Sequence, residues 1–165
     1  MKWQTLFLSP NGRIGQKDYW IGLLILFAVW VLSPVLHILA PLVWVALFYP
    51  WVCVAAKRLH DFGKSGWLVL VPVVVGIVAL TLGVIFGGVS LFSAGYVAFN
   101  DGFEPSTWAV LLGALGVMLA FLCIAAVVKL VFLLWVGLSA GDPAANRYGP
   151  PPGAVTAPTP AAPAG

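Results

Sequence analysis

The chain has 165 residues, of which 62% are hydrophobic and 8% are charged, and its mean hydropathy is +1.05. A soluble domain carries roughly 25% charged residues, so this composition excludes an ordinary water-soluble fold and indicates a surface covered by lipid. The formal net charge is only +3 and the sequence has no basic stripe, so we expect no nucleic-acid partner. Two cysteines and two histidines without CxxC or HxxxH spacing predict no metal site, and no motif predicts a cofactor.

The first predicted element is a short amphipathic helix over residues 2–9. Trp3, Leu6 and Phe7 recur at i, i+3 and i+4, which is the pattern of a helix lying on a membrane surface. This helix belongs to a predicted N-terminal segment, residues 1–18, that precedes the first membrane span.

Four apolar runs then predict four membrane-spanning helices arranged as two helical hairpins. The predicted spans are about 19–38, 41–56, 66–87 and 108–138. Residues 88–107 become polar toward their end, so we predict a loop there, with a re-entrant piece as an alternative. Lys129 interrupts the last run, and both snorkelling to an interface and a role inside the membrane remain open for it.

Two stripes of small residues predict how the last two spans pack. They are Ala79, Gly83 and Gly87 in the third span and Ala109, Gly113, Gly116 and Ala120 in the fourth. Small residues let helices approach closely where lipid provides little hydrophobic drive for association. The predicted fold class is therefore all-α: an integral membrane four-helix bundle of two helical hairpins, with a short N-terminal interfacial helix.

The positions of the basic residues predict the orientation. Lys2, Arg13 and Lys17 precede the first span, Lys57, Arg58 and Lys64 follow the second, and Arg147 follows the fourth. The loop between the third and fourth spans carries Asp101 and Glu104 instead. By the positive-inside rule, both termini are expected in the cytoplasm. Residues 141–165 are rich in proline and alanine and are predicted to be a disordered cytoplasmic tail.

A polar stretch over residues 57–67 separates the two hairpins, and it contributes most of a candidate functional cluster. The cluster comprises Arg13, Arg58, His60, Asp61, Lys64, Trp67 and Asn146, which the predicted topology places on one face. An imidazole beside a carboxylate can perform acid–base chemistry. Because no nucleophile or glycine-rich loop accompanies His60 and Asp61, we favour a structural role in which Asp61 pairs with Arg58 or Arg13 and His60 caps a helix end.

Three sequence patches stand in a distinctive order. They are Gly12-Arg13-Ile14 with Tyr19-Trp20, Arg58-Leu59-His60-Asp61 with Gly63-Lys64-Ser65-Gly66-Trp67, and Gly141 with Asn146-Arg147-Tyr148-Gly149-Pro150. Their order and placement resemble the YhaH-like family of small bacterial inner-membrane proteins, DUF805, a domain of unknown function. The resemblance covers roughly residues 6–88 and 130–152, with additional membrane sequence in this chain between about 89 and 129. It implies a bacterial inner membrane and supplies no activity.

Three functions are consistent with the sequence. The favoured one is a non-enzymatic membrane protein whose cytoplasmic polar cluster contacts anionic lipid headgroups or another membrane protein. A small transporter or channel is an alternative, although the spans lack the polar lining and paired charges of such proteins. A membrane-embedded enzyme that uses His60 and Asp61 is another, although the chain offers few titratable groups for an active site.

Overall fold

The structure, a computed structural model, describes residues 3–102 and 104–154. Its helices are α1 (Trp3–Leu8), α2 (Gln16–Leu32), α3 (Ala40–Asp61), α4 (Leu70–Asp101) and α5 (Pro105–Leu138), with 3-10 segments at Ser33–Leu39 and Gly66–Val69. Four stretches are long and apolar enough to cross a membrane: Gln16–Leu36, Ala40–Asp61, Gly66–Asn100 and Pro105–Leu138. The predicted all-α fold with four spanning helices is confirmed.

The chain forms two compact units. The first comprises residues 1–66 and 137–165, and the second comprises residues 67–136. In the first unit, α3 is the central element, because residues 53–59 are buried on every side of the helix. The second unit is the hairpin of α4 and α5.

Two polar side chains of α3 tie the interfacial helix α1 to the first unit. The ammonium of Lys57 is buried and donates hydrogen bonds to the carbonyls of Thr5 and Leu6, the latter at 2.7 Å. The Tyr49 hydroxyl donates to the Leu8 carbonyl at 3.0 Å. The last carbonyls of a helix have no partner within that helix and carry partial negative charge, so these contacts satisfy the C-terminal end of α1 and compensate the buried cation.

Close packing and one hydroxyl relay hold α2 against α3. A side chain at Gly22 would meet Val54 at 3.3 Å, so glycine permits the close approach of the two helices. At the opposite end of the hairpin, the buried Ser33 hydroxyl donates to the Trp30 carbonyl and accepts from the Trp44 indole N–H. The Trp30 carbonyl also accepts from the Ser33 backbone N–H, so the hydroxyl adds a second hydrogen bond at the end of α2 and links it to α3.

The α4–α5 interface confirms one predicted small-residue stripe and corrects the other. Ala79, Gly83 and Gly87 are buried, and side chains at Gly83 and Gly87 would meet Phe121 and Met118 of α5. The stripe predicted on α5 is wrong as its partner. Its members, Ala109, Gly113, Gly116 and Ala120, are exposed, and nothing lies within 4 Å of a side chain built on either glycine. The glycines of α4 form a groove that bulky side chains of α5 fill, so a second small stripe is not needed.

Two further predictions fail at element boundaries. Residues 88–101 are not a loop, because α4 continues to Asp101. Within this part, the hydroxyl of Ser90 and the amide of Asn100 donate to carbonyls four residues earlier, and Gly102, at φ 84°, ends the helix. At about 1.5 Å per residue, α4 and α5 each exceed the ~30 Å hydrocarbon core, so the hairpin must tilt or extend beyond it.

The prediction of disorder also fails for residues 141–154. Residues 141–154 are ordered, and Asn146 and Gly149 exchange two backbone hydrogen bonds at 3.1 and 2.9 Å in a tight turn. The prediction of disorder for residues 155–165 lies outside the described residues. Hydrogen bonds from Arg13 and Arg58 to backbone carbonyls hold this segment in place despite its proline content.

The α4–α5 groove leads to a matched test. Gly83→Leu should lower the free energy of unfolding by about 1–3 kcal/mol, because the larger side chain overpacks against Phe121 and Met118. Gly88→Leu on the same helix and Gly113→Leu on α5 face open space and should change it little. Denaturant unfolding in detergent micelles measures the difference, and equal losses for the three variants would contradict the observed interface.

Candidate functional site: a buried polar clasp

Three separated segments of the first unit meet at the end of α3. Arg13 lies in the extended segment before α2, Arg58 and Asp61 lie one turn apart at the end of α3, and residues 139–149 follow α5. We call residues 139–149 the closing segment, and the clasp is this segment together with the side chains of Arg13, Arg58 and Asp61. The clasp thus combines residues from both ends of the described chain and from its middle.

The local sequence around α3 explains why the helix ends there. The N–H of Gly63 donates to the His60 carbonyl, and the N–H of Lys64 donates to the Leu59 carbonyl at 2.9 Å. With Gly63 at φ 72°, this pattern is a Schellman motif, in which glycine adopts the left-handed conformation that other residues disfavour. The helix therefore stops directly after Asp61 and leaves its carboxylate and main-chain carbonyl available to other segments.

Every N–H donor of Arg13 has an acceptor within the clasp. Nε donates to Asp61 Oδ1 at 3.1 Å, and one terminal nitrogen donates to the carbonyls of Ala144 and Gly149. The other terminal nitrogen donates to the carbonyls of Asp61 and Asp142 at 3.0 and 2.5 Å. A guanidinium has five N–H donors, so Arg13 is fully used in holding the closing segment and the end of α3 together.

The Asp61 carboxylate is shared between two buried arginines. Its Oδ1 pairs with Arg13 at 3.0 Å and its Oδ2 pairs with Arg58, whose other terminal nitrogen donates to the Ser139 carbonyl. Only 1%, 2% and 4% of the Arg13, Arg58 and Asp61 side chains are exposed. Buried charges are tolerated only when they are paired and hydrogen-bonded, and here both conditions are met by atoms of the chain itself.

His60 is held on the rim of the clasp by its ring. Its Nδ1–H donates to the Gly12 carbonyl at 3.2 Å, and the imidazole stacks on Tyr148 with ring centroids 3.8 Å apart and planes 9° from parallel. The guanidinium of the adjacent residue, Arg147, lies 4.8 Å from the centroid of the same Tyr148 ring. A side chain at Gly66 would come within 2.9 Å of His60 Nε2, so the ring edge is closely covered.

Side chains and one glycine of the closing segment complete the arrangement. Asn146 Nδ2 donates to the His60 carbonyl at 3.0 Å and to Asp142 Oδ2 at 2.9 Å. The Asp142 N–H donates to the Asp61 carbonyl at 2.8 Å. At Gly141 any side chain would overlap the Asp61 carboxylate. Glycine is thus required here by contact, not by backbone conformation.

The structure brings five of the seven candidate residues together and leaves two apart. Arg13, Arg58, His60, Asp61 and Asn146 share the contacts described above. Lys64 contributes its backbone N–H to the end of α3 and exposes its side chain. Trp67 begins the second unit, and its side chain is exposed.

Sequence reasoning missed several participants. The acceptor carbonyls of Ser139, Ala144 and Gly149 carry no side-chain signal, because any residue has a carbonyl. Tyr148 and Asp142 are side chains that could have been considered, since each lies within a few residues of Asn146. Gly141 is part of the third sequence patch, but nothing in that patch indicates that it packs against Asp61.

The geometry limits what the clasp can do chemically. Both oxygens of Asp61 are engaged by arginines, so the carboxylate is a poor general base in this arrangement. Across the described residues, no group of three His, Cys, Asp or Glu side chains could hold a metal ion. What the arrangement does support is a structural role: it fastens the closing segment to the segment before α2 and to the end of α3.

Removing the shared carboxylate tests the clasp as a unit. Asp61→Asn should lower the free energy of unfolding by about 3–5 kcal/mol, because it leaves two buried guanidiniums without their counter-charge. Arg13→Gln should cost clearly less in the Asp61→Asn background than in the natural sequence, since the pair is already broken. A double-mutant cycle in detergent micelles measures this coupling, with Asp18→Asn as a control outside the clasp. Additive losses for Asp61 and Arg13 would contradict the shared ion pair.

Comparison with known proteins places the chain. The family model described as "Protein of unknown function (DUF805)" matches residues 7–150. Two relatives, both called "Uncharacterized protein YiiR", from Escherichia coli strains K12 and O157:H7, are each 37% identical over 78 residues, which is 42% of this chain and 53% of the relative. The chain thus spans about half the length of the curated relatives it matches.

No solved structure matches the chain. The family match includes all the clasp residues, from Arg13 to Gly149, together with α2 to α5. Since this match extends over most of the sequence, the chain belongs to the DUF805 family of proteins of unknown function.

Proposed function

We propose that this chain is a non-enzymatic, multi-pass protein of the bacterial inner membrane, with both termini in the cytoplasm. Its clasp is a structural fastening, and the exposed basic residues around it contact anionic lipid headgroups. The observation that carries the proposal is that the clasp joins residues before α2, after α3 and after α5.

The clasp supports a topology in which each hairpin returns to its starting face. Arg13 precedes the first span and pairs with Asp61, where the second span ends. The closing segment follows the fourth span and bonds to both residues. Groups separated by a ~30 Å hydrocarbon core cannot form hydrogen bonds, so all three segments belong on one membrane face.

The charge distribution supports the cytoplasm as that face. The basic residues that the structure describes near the clasp lie at the span ends on the clasp side of the membrane. Asp101 and Glu104 lie at the α4–α5 loop, on the opposite side. Under the positive-inside rule, basic flanks are retained in the cytoplasm. The relatives come from a bacterium, which supports the inner membrane as the location.

Three exposed basic residues support contact with headgroups. Arg13 and Arg58 are buried in the clasp and Lys57 is buried against α1, so these three cations are not available to lipid phosphates. Lys17, Lys64 and Arg147 are exposed. A basic residue near an anionic membrane surface contributes about 1 kcal/mol to binding, so these three make a modest electrostatic contact with headgroups beside the clasp.

The geometry lends less support to the enzymatic and transport alternatives. His60 and Asp61 are both committed to structural contacts, and their functional groups point to other parts of the chain. A cavity of about 140 Å³ between α4 and α5 lies near the loop that joins them. Its lining consists of Ser93, Ala94, Val97, Ser106, Thr107 and Val110. Transport would require a polar path at mid-membrane depth, whereas this cavity lies near the loop.

Reporter fusions test the topology. A fusion at the loop near Asp101 should be active only as a periplasmic reporter, and a fusion after Gly165 only as a cytoplasmic one. The physical reason is that the closing segment and Arg13 share the clasp. A periplasmic C-terminus would overturn the proposed topology.

Lipid analysis tests the headgroup contact. Replacing Lys17 and Lys64 together by Gln should lower the ratio of anionic to zwitterionic lipid that copurifies with the protein, with little change in its unfolding temperature. Lys129→Gln, within α5, serves as the control. An unchanged ratio, or photocrosslinking from position 64 that yields protein adducts and no lipid adducts, would favour a protein partner over headgroups.

A further inference from the structure

The clasp joins three segments that are synthesised at different times, because other membrane spans separate them in the chain. The segment before α2 and the end of α3 are made first, and the closing segment follows only after α4 and α5. We propose that the clasp is a topological lock: it stabilises the finished chain only when the closing segment lies on the membrane face that holds Arg13 and Asp61. This inference rests on the proposed topology, with both termini on one face.

Few basic residues follow α5, so the positive-inside rule alone biases the position of the C-terminus only weakly. After Leu138 the chain carries only two charged residues, Asp142 and Arg147. Orientation by the positive-inside rule depends on lysines and arginines near span ends, and here a single arginine provides it. Retention of the C-terminus on the clasp face therefore needs a further source of free energy.

The contacts of the closing segment supply that free energy only when the C-terminus lies on the clasp face. Without the segment, Arg13 loses the carbonyls of Asp142, Ala144 and Gly149, and Arg58 loses that of Ser139. The two guanidiniums then still share one carboxylate, but Arg13 has lost three of its five acceptors and Arg58 one, which is unfavourable wherever water does not replace them. If only one of α4 and α5 crosses, the closing segment lies on the far side of the bilayer and none of these bonds forms.

The same contacts explain the glycine and the asparagine of the closing segment. Gly141 brings the backbone against the Asp61 carboxylate, and Asn146 bonds to the His60 carbonyl at 3.0 Å. Both residues help to position the backbone carbonyls that accept hydrogen bonds from Arg13 and Arg58. The lock therefore depends on shape as well as on charge, and each can be tested separately.

The test opposes the lock with a competing charge signal. In the full-length protein, Asp101→Lys with Glu104→Lys makes the α4–α5 loop basic, which favours its retention in the cytoplasm and sends the C-terminus outward. A dual reporter after Gly165, scored in pulse-labelled chains before turnover, gives the periplasmic fraction. We expect this basic loop alone to leave most C-termini cytoplasmic, because the intact clasp resists the change.

Opening the clasp in the basic-loop protein should then release the C-terminus. Asp61→Asn and, separately, Gly141→Ala should each raise the periplasmic fraction by about tenfold, as expected when one of two states loses ~1.4 kcal/mol. Gly141→Ala changes no charge, and Asp61→Asn makes its own face more positive, so the positive-inside rule does not predict either increase. Asp18→Asn and Gly76→Ala, outside the clasp and with open space at Gly76, are the matched controls.

Two results would overturn the lock. The first is an equal periplasmic fraction in the clasp variants and in their matched controls. The second is a periplasmic C-terminus in the natural sequence, which would overturn the proposed topology as well. The first result with a cytoplasmic C-terminus in the natural sequence would overturn the lock alone, so the two failures are distinguishable.

Discussion

The shared ion pair at Asp61 is the constraint on which the first unit depends. One carboxylate neutralises two buried guanidiniums, and each guanidinium directs its other donors to main-chain carbonyls of the segment after α5. Buried ion pairs contribute uncertain net stability, because desolvation offsets much of the attraction. The geometry of the pair is more restrictive, because a buried charge without a partner strongly destabilises the fold. The need to pair both arginines therefore fixes where three distant segments of the chain meet.

The two units rely on different physical interactions. In the first, polar groups at helix ends are satisfied across segments: Lys57 bonds to the end of α1, and Ser33 mediates between Trp30 and Trp44. The second unit is an apolar hairpin in which the α4 groove at Gly83 and Gly87 receives side chains of α5. Lipid replaces water around both, so hydrogen bonds at helix ends and close packing become the main specifying interactions.

The basic residues serve different purposes before and after folding. During insertion, lysines and arginines at span ends bias the orientation of the chain irrespective of their later contacts. In the folded protein, Arg13, Arg58 and Lys57 are buried and hydrogen-bonded, while Lys64 and Arg147 remain exposed. A basic residue in this sequence is therefore not always a positive charge on the protein surface. Only the folded structure distinguishes the buried cations from the exposed ones.

The sequence by itself determined the helical class and the four spanning segments, because run length and apolar composition are properties of contiguous residues. It also pointed to Arg13, Arg58, His60, Asp61 and Asn146, since polar residues at span ends on one face are few. It misplaced the α5 contact surface, which the neighbouring helix decides, and the end of α4, which continues through a partly polar stretch to Gly102. Only the tertiary structure decided that the closing segment is ordered and that Gly141 touches Asp61, because these contacts use backbone carbonyls and proximity, which no side-chain pattern records.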